Sequence, residues 1–393
     1  VTYTRQAGDG GTGGWAWREA IGFNERPMEA LTHLPVNEDT VKTSIEARLR
    51  LRVALPGVAD LPRIARCLDE ARSLALTVGD PAQLAEIDTS KCLTLTKMGL
   101  LEQAVEAGRQ GYERSRELGE KAAFVNASFA LAQACWYQGE FRQSEDLLLD
   151  RLDDLRGPLR LKNTGTTGTA SVLALVCLSK TYAITGQHEK AAASIAGARA
   201  IAEELAKPFD PSYRGVGRGF CLLLSGDAQG AVAELEESLR LARSADIALL
   251  IPPSQRYLGR ASALTGRLQE AEAVLDDAIA RTTTAGLLGM RLWSRAALAQ
   301  VQLRNAPGAA GETLATTLEL ARRYGFRPLQ ALLMRLLGKL YATHGGQNAQ
   351  AAQAWCRQAI QLADELGMAP EAAQARRDLA AALSHIDLRT PIE

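Results

Sequence analysis

The chain of 393 residues is 47% apolar but only 5% aromatic, a composition rich in the helix formers Ala and Leu. Lys and Arg together number 45, as do Asp and Glu, so the formal net charge is zero and does not favour nucleic-acid or membrane binding. No apolar run approaches the ~18 residues of a membrane-spanning helix, and the N-terminus lacks the apolar core of a signal peptide. These totals predict a helical cytoplasmic protein.

The N-terminal segment precedes any repeated pattern. Residues 1–14 include the run GDGGTGG, which predicts a flexible glycine-rich lead-in. Residues 15–37 predict an initial helix, in which Pro27 should produce a kink or a break because proline lacks the backbone N–H.

Two glycine markers then recur with a period of about 40 residues. The first marker stands between the two helices of each unit, at Gly99, Gly139, Gly186, Gly226, Gly266 and Gly345, with a degenerate turn near Asn305. The second ends each unit, at Gly79, Gly119, Asp246, Gly286, Gly325 and Gly367. Between the markers, the apolar residues follow a helical period, as at Leu268, Ala271 and Leu275. Each unit is therefore predicted to be a helical hairpin.

The pattern resembles the tetratricopeptide repeat, with small residues where two helices cross. Gly219, Gly259 and Gly338 match the small position of the first helix, and the small position of the second helix is matched by Ala104, Ala191, Ala231, Ala271 and Ala352. The resemblance implies an all-α, tetratricopeptide-like right-handed α-solenoid of about eight helical hairpins with long repeats. The predicted segments are N-terminal repeats at 38–157, an interrupting loop at 158–169, C-terminal repeats at 170–367, and a capping helix with a tail at 368–393.

Motifs for catalysis are missing from the sequence. It contains no phosphate-binding P-loop, no GxSxG nucleophile motif and no HExxH metal motif, and its four histidines are scattered. The six cysteines lie in apolar helical stretches with no CxxC pair, so we expect them to be reduced and buried. We predict a non-enzymatic chain that carries no cofactor or metal.

In tetratricopeptide arrays the first helix of each hairpin lines the concave groove. That placement predicts a basic ladder in the groove, formed by Arg256, Arg260, Arg295, Arg335 and Lys339, with the register at Arg295 least defined. A ladder of this kind favours a partner with an acidic or phosphorylated segment. The alternative is that these side chains are solvated or paired with acids on adjacent helices.

A second predicted groove feature is an aromatic and polar patch on the helix that precedes Gly139. Its members are Phe129, Gln133, Trp136 and Tyr137, and aromatic side chains are enriched at binding hot spots. The alternative is that Phe129 and Trp136 pack against the next hairpin.

The order of elements, from YTRQAGDGG through EARLRLRVAL to AIQLADELGMAPEAAQARRDLA, resembles the C-terminal repeat region of large bacterial class III adenylyl/guanylate cyclase–ATPase fusions. Similar regions follow the ATPase of LuxR-type regulators. The resemblance implies a non-catalytic regulatory module that binds a protein or peptide and contacts the ATPase or cyclase domains of its parent. The alternative is a sensor domain that binds a small-molecule effector.

Overall fold

The structure, a computed structural model, describes residues 38–54, 61–162, 164, 166–205, 207–343 and 348–387. The glycine-rich lead-in and the initial helix expected at 15–37, including Pro27, lie outside the described residues, as does the turn at Gly345.

The described residues form eighteen α-helices and a short 3₁₀ helix, Ala248–Leu250, with no β-strand among them. The α-helices are α1 (Glu38–Ala54), α2 (Leu61–Val78), α3 (Pro81–Met98), α4 (Leu101–Leu118), α5 (Lys121–Gln138), α6 (Phe141–Leu149), α7 (Leu152–Arg156), α8 (Ala170–Ile184), α9 (His188–Leu205), α10 (Phe209–Ser225), α11 (Ala228–Ser244), α12 (Ile251–Leu264), α13 (Leu268–Thr284), α14 (Leu288–Asn305), α15 (Pro307–Arg323), α16 (Arg327–Thr343), α17 (Ala349–Glu365) and α18 (Ala369–Asp387).

These helices form eight consecutive hairpins, which begin at α1, α3, α5, α8, α10, α12, α14 and α16, and α18 packs on the last of them. The first helix of each hairpin is called helix A here and the second helix B. This arrangement confirms the predicted all-α solenoid of tetratricopeptide type.

The glycine markers end helices because they adopt backbone angles that other residues avoid. All ten described marker glycines have positive φ, between 67° and 95°. At Gly99 and Gly139 this conformation lets the backbone N–H groups bond to the last carbonyls of the helix. Asp246 occupies the equivalent position with φ of 52°, and it is the one non-glycine residue with positive φ in the described chain.

Asp246 therefore predicts a stabilising substitution. Asp246→Gly removes the Cβ that makes the left-handed conformation unfavourable, and we expect the free energy of unfolding to rise by about 0.5–1 kcal/mol. Chemical denaturation of the two proteins measures the difference. An unchanged or lower stability would mean that the Asp246 side chain compensates for its backbone conformation.

The small residues of the repeat lie where helices A and B cross. A Cβ on Gly219 would lie 2.4 Å from Leu235 Cγ, and a Cβ on Gly259 would lie 2.5 Å from Leu275 Cγ. Both leucines are fully buried, so neither can move into solvent. The resemblance to the tetratricopeptide repeat matched Gly219 and Gly259 to a small position, and these distances show that a larger residue would not fit there.

We expect Gly259→Ala to destabilise the solenoid by about 1–3 kcal/mol, because the new methyl group overpacks the contact with Leu275. Gly308 is a matched control, since it lies in α15 and a Cβ there would meet nothing within 4 Å. Gly308→Ala should leave stability unchanged or raise it by up to about 1 kcal/mol through helix propensity. Equal melting temperatures for the two variants would rule out the close approach at Gly259.

The third hairpin departs from the continuous second helix of the other units. Its second helix is broken into α6 and α7, and Gly157 and Pro158 then end it. The loop that follows is held in place at its end. The Asp210 carboxylate accepts hydrogen bonds from the Thr169 backbone N–H at 2.9 Å and from the Thr169 hydroxyl at 2.6 Å.

All six cysteines are free, and every one except the half-buried Cys221 is buried. Burial raises the pKa of the Cys135 thiol to about 12 and that of the Cys221 thiol to about 11. The thiols are therefore protonated at neutral pH and act as small apolar side chains, as the sequence indicated.

The superhelix is wound so that hairpins five units apart touch. α3 contacts α14, α5 contacts α16, and α8 contacts α18. The hairpin turns meet the same neighbours. A Cβ on Gly99 would lie 3.0 Å from Leu288, and one on Gly139 would lie 2.8 Å from Leu366. As a result, hairpins two, three and four pack against hairpins seven and eight and α18.

Candidate ligand-binding site

The zero net charge of the chain conceals an uneven distribution of charge between helices A and helices B. Helices A of hairpins three to eight carry one acidic residue, Asp210. Twelve basic residues lie on the same helices: Lys121, Lys180, Arg214, Arg218, Arg256, Arg260, Arg291, Arg295, Arg304, Arg327, Arg335 and Lys339. The B helices of these hairpins have the opposite balance, with 18 acidic and 10 basic residues. Helices A therefore carry excess positive charge, although five of these cations pair with carboxylates elsewhere in the described chain: Lys121, Arg214, Arg218, Arg327 and Arg335.

Arg256 is the most deeply placed of these cations, with 5% of its surface exposed. Its guanidinium carbon lies 4.1 Å from the ring centre of Tyr257 and 5.6 Å from that of Trp293 on α14. No carboxylate pairs with it within the described chain, and its Nε finds no hydrogen-bond acceptor there. A buried donor without an acceptor costs about 1–3 kcal/mol, so this arrangement favours an external anion.

Arg260 lies one helical turn further along α12 and shares the same surroundings. Burial lowers the pKa of its guanidinium, and the nearby cations of Arg256 and Arg335 lower it further, although Tyr257 and Glu371 act in the opposite direction. The buried Arg256 and the half-buried Arg260 thus lie one helical turn apart, with no carboxylate bonded to either in the described structure. A bound anion would relieve this repulsion.

Arg335 is buried on α16 and does have partners. Its Nε lies 2.5 Å from Glu371 and its Nη1 lies 3.0 Å from Asp378, both on α18. Burial alone lowers the pKa of Arg335, but these two carboxylates raise it above its ordinary value. Arg335 is therefore paired with acidic residues of an adjacent helix, which was the alternative to a free position in the predicted ladder.

The other two ladder residues do not join this interior. Arg295 donates hydrogen bonds to the hydroxyls of Thr317 at 3.0 Å and Thr316 at 2.6 Å on its own helix B. Gln255, at the equivalent position of α12, likewise bonds to Asp277 on helix B at 2.6 Å. Arg295 therefore matches Gln255 rather than Arg256, and the predicted register is wrong by one residue because the turn near Asn305 lacks its glycine. Lys339 is exposed.

The predicted aromatic patch is not an open surface in this conformation. Phe129 is 7% exposed and Trp136 is 3% exposed, whereas Gln133 and Tyr137 are half-buried. The Trp136 ring lies 6.3 Å from that of Trp293 and 6.2 Å from that of Phe220. Trp136 is therefore packed between hairpins five and seven and does not face an open groove.

Trp136 and Trp293 are each buried with an indole Nε1 that has no acceptor in the described structure. We define the inner cluster as Trp136, Arg256, Arg260, Trp293 and Arg335. The Lys180 ammonium lies 4.3 Å from the Trp136 ring and adds positive charge to one side of the cluster. Trp293 and Lys180 could not be identified as site residues from the sequence, because their proximity to Trp136 depends on the pitch of the superhelix.

A second concave feature lies near the N-terminus, a cleft of about 480 Å³ between α2, α3 and α4. Both cations that line it are already paired, since Arg72 donates to Asp88 at 2.8 Å and Lys91 pairs with Asp69. The inner cluster, with its unpaired cations and donors, is the better candidate for a ligand.

The described residues contain no group of His, Cys, Asp and Glu side chains arranged to hold a metal ion. Among the helices that the structure describes, none combines the length and the apolar character needed to cross a membrane.

No known family profile matches the sequence, and no curated protein matches it. Solved structures do share its fold. A Rap protein complexed with Competence and Sporulation Factor matches with a TM-score of 0.60 at 12% identity, over 99% of this chain and 98% of that one. The Rap conjugation gene regulator of plasmid pLS20, in complex with the Phr* peptide, matches with a TM-score of 0.58 at 13% identity, over 91% and 95%.

A third structure, a signal-transduction ATPase with a tetratricopeptide repeat sensor from Pyrococcus horikoshii, matches with a TM-score of 0.50 at 12% identity. The match covers 90% of this chain and 53% of that one. At such identities the three similarities establish the tetratricopeptide-like fold. A fusion to a cyclase, which the sequence suggested, has no counterpart among them.

Proposed function

We propose that this chain is a non-catalytic regulatory module that binds an acidic peptide inside its superhelix. The observation that carries the proposal is the pair formed by the buried Arg256 and the half-buried Arg260 one helical turn away, neither of which is bonded to a carboxylate in the described chain. Buried charges in proteins are normally paired. An acidic peptide would supply the missing negative charge, and a phosphorylated segment is the alternative source of it.

The fold supports a peptide as the ligand. A structure with a TM-score of 0.58 to this chain was solved in complex with a peptide, and a solenoid offers an extended inner surface to such a partner. The basic helices A extend over six hairpins, a length that suits a chain molecule better than a compact metabolite.

The wider setting is also part of the proposal. We propose that the module responds to its peptide by controlling ATPase or adenylyl cyclase domains of the same polypeptide. The fold shared with the tetratricopeptide repeat sensor of a signal-transduction ATPase supports the ATPase form of this arrangement.

The test uses three short synthetic peptides of equal length, built on serine with glutamate, glutamine or lysine at alternate positions. Binding is measured by fluorescence anisotropy of a label at the peptide N-terminus. We expect the glutamate peptide to bind and the other two to bind at least tenfold more weakly, with an affinity that falls as salt is added. Equal binding of all three peptides, or binding of none, would refute the proposal.

A small-molecule effector is the second candidate function, because Arg256 and Trp293 of the inner cluster lie near each other and near Trp136. Thermal unfolding tests this function. A melting temperature that rises with dicarboxylates or nucleotides but with none of the three peptides would favour a small-molecule effector.

A further inference from the structure

Three buried hydrogen-bond donors without acceptors in the described structure belong to side chains from three different hairpins, and the Trp293 ring lies near the other two side chains. They are the indole Nε1 of Trp136 on α5, the Nε of Arg256 on α12 and the indole Nε1 of Trp293 on α14. Their side chains are 3%, 5% and 8% exposed. The two indole rings lie 6.3 Å apart, and the guanidinium lies 5.6 Å from the Trp293 ring.

We propose that Trp136, Arg256 and Trp293 form a binding site for a single carboxylate of the ligand. This inference rests on the proposed function and identifies which group of the peptide enters the inner cluster. A carboxylate accepts hydrogen bonds at two oxygens and offers about four lone-pair sites, which suffices for three donors.

The surroundings favour a carboxylate over a more highly charged anion. Phe220 and Tyr257 form apolar walls, with ring centres 5.2 Å apart, and Phe220 also lies 6.2 Å from Trp136. The same interior already accepts carboxylates, since Glu371 and Asp378 bind Arg335. A phosphate dianion would lose more hydration on entering such a site than a carboxylate monoanion would.

The site would also connect distant parts of the chain. Its donors belong to hairpins three, six and seven, and α5 contacts α16 across the superhelix. A carboxylate bound to all three would stabilise the contact between successive turns of the superhelix. Ligand binding should therefore raise the melting temperature of the chain.

Nitrogen-15 labelling of tryptophan tests the site directly. The chain has five tryptophans, and the signals of Trp136 and Trp293 are assigned from Trp136→Phe and Trp293→Phe. Titration with sodium acetate, and separately with the glutamate peptide, should move these two indole N–H signals downfield. Trp355 on α17 is half-buried and lies outside the inner cluster, so its signal should not move. Movement of neither cluster signal, or of the Trp355 signal alone, would overturn the proposal.

Affinities then identify the source of the carboxylate. Trp136→Phe and Trp293→Phe keep an aromatic ring but delete a donor, and each should weaken the glutamate peptide roughly tenfold. Trp355→Phe should not weaken it. The glutamate peptide is also made with a C-terminal amide. If the amide weakens binding to the unaltered protein about tenfold, the site binds the terminal carboxylate. If the amide leaves the affinity unchanged, the site binds a glutamate side chain.

The outcomes separate this inference from the proposed function. Tight peptide binding that neither tryptophan variant alters would overturn the carboxylate site and leave the peptide function intact. Acetate-induced shifts of both signals without any peptide binding would support the site and refute the peptide function. If inorganic phosphate moves both indole signals and acetate moves neither, the site does not bind a carboxylate.

Discussion

Replacing Arg335 by methionine is expected to destabilise the C-terminal end of the solenoid by about 3–5 kcal/mol. The change removes the cation that is salt-bridged to Glu371 and Asp378, whose side chains are only 16% and 13% exposed. A buried charge that loses its partner retains its desolvation penalty without the compensating attraction. Urea denaturation measures the loss, and hydrogen exchange should locate it in α18 and the last hairpin.

Two further variants define the cause of that loss. Arg335→Met combined with Glu371→Gln and Asp378→Asn removes all three charges and should recover most of the stability. Arg327→Met is the matched control on the same helix, because its partners Glu365 and Glu140 are exposed and such pairs contribute at most about 1 kcal/mol. If Arg335→Met and Arg327→Met had equal effects, the buried pairing would not hold α18.

The contact of α18 with Arg335 gives this helix a second role besides closing the array. Glu371 and Asp378 lie on this helix, and both form ion pairs with Arg335, one cation of the inner cluster. Arg256 and Arg260 lie beyond their hydrogen-bonding reach in the described structure. The chain thus supplies carboxylates to one end of its basic interior and leaves the other end to a ligand.

The solenoid could be predicted from the sequence because its determinants are local. A left-handed turn needs glycine, so Gly99 and Gly139 indicate turns in the sequence itself. Close helix crossings need small side chains, so Gly219 and Gly259 indicate crossings. The predicted position of Arg295 was wrong because this local signal is missing there. Where the turn near Asn305 lacks its glycine, the register was set one residue away from the true one.

The inner cluster could be predicted only in part. The repeat pattern placed Arg256, Arg260 and Arg335 on the inner face of their helices, because each position is fixed by its own hairpin. The approach of Trp136 to Trp293 joins residues 157 positions apart in the sequence and depends on how far the superhelix rises per turn. That rise is the sum of small rotations between hairpins, and no residue pattern within one repeat specifies it.

The double substitution Arg256→Gln, Arg260→Gln is expected to weaken binding of the glutamate peptide by about 100-fold. Charge-assisted hydrogen bonds contribute about 1.5–3 kcal/mol each, and a 100-fold change in affinity corresponds to about 2.7 kcal/mol. Glutamine retains a polar, flexible side chain of intermediate size, so the loss should reflect the missing guanidinium groups. Fluorescence anisotropy measures the affinity, and thermal unfolding of each variant verifies that the fold is retained.

Arg295→Gln is the control for this experiment, because Arg295 was expected in the same ladder but bonds to Thr316 and Thr317 on its own helix B. Its substitution should change the affinity less than threefold, and it should leave the salt dependence of binding unchanged, whereas the double variant should flatten that dependence. A loss for Arg295→Gln equal to that of the double variant would mean that the peptide senses the general positive charge of helices A. A loss confined to the double variant would mean that the peptide is held by the two cations that lack a carboxylate partner within the described chain.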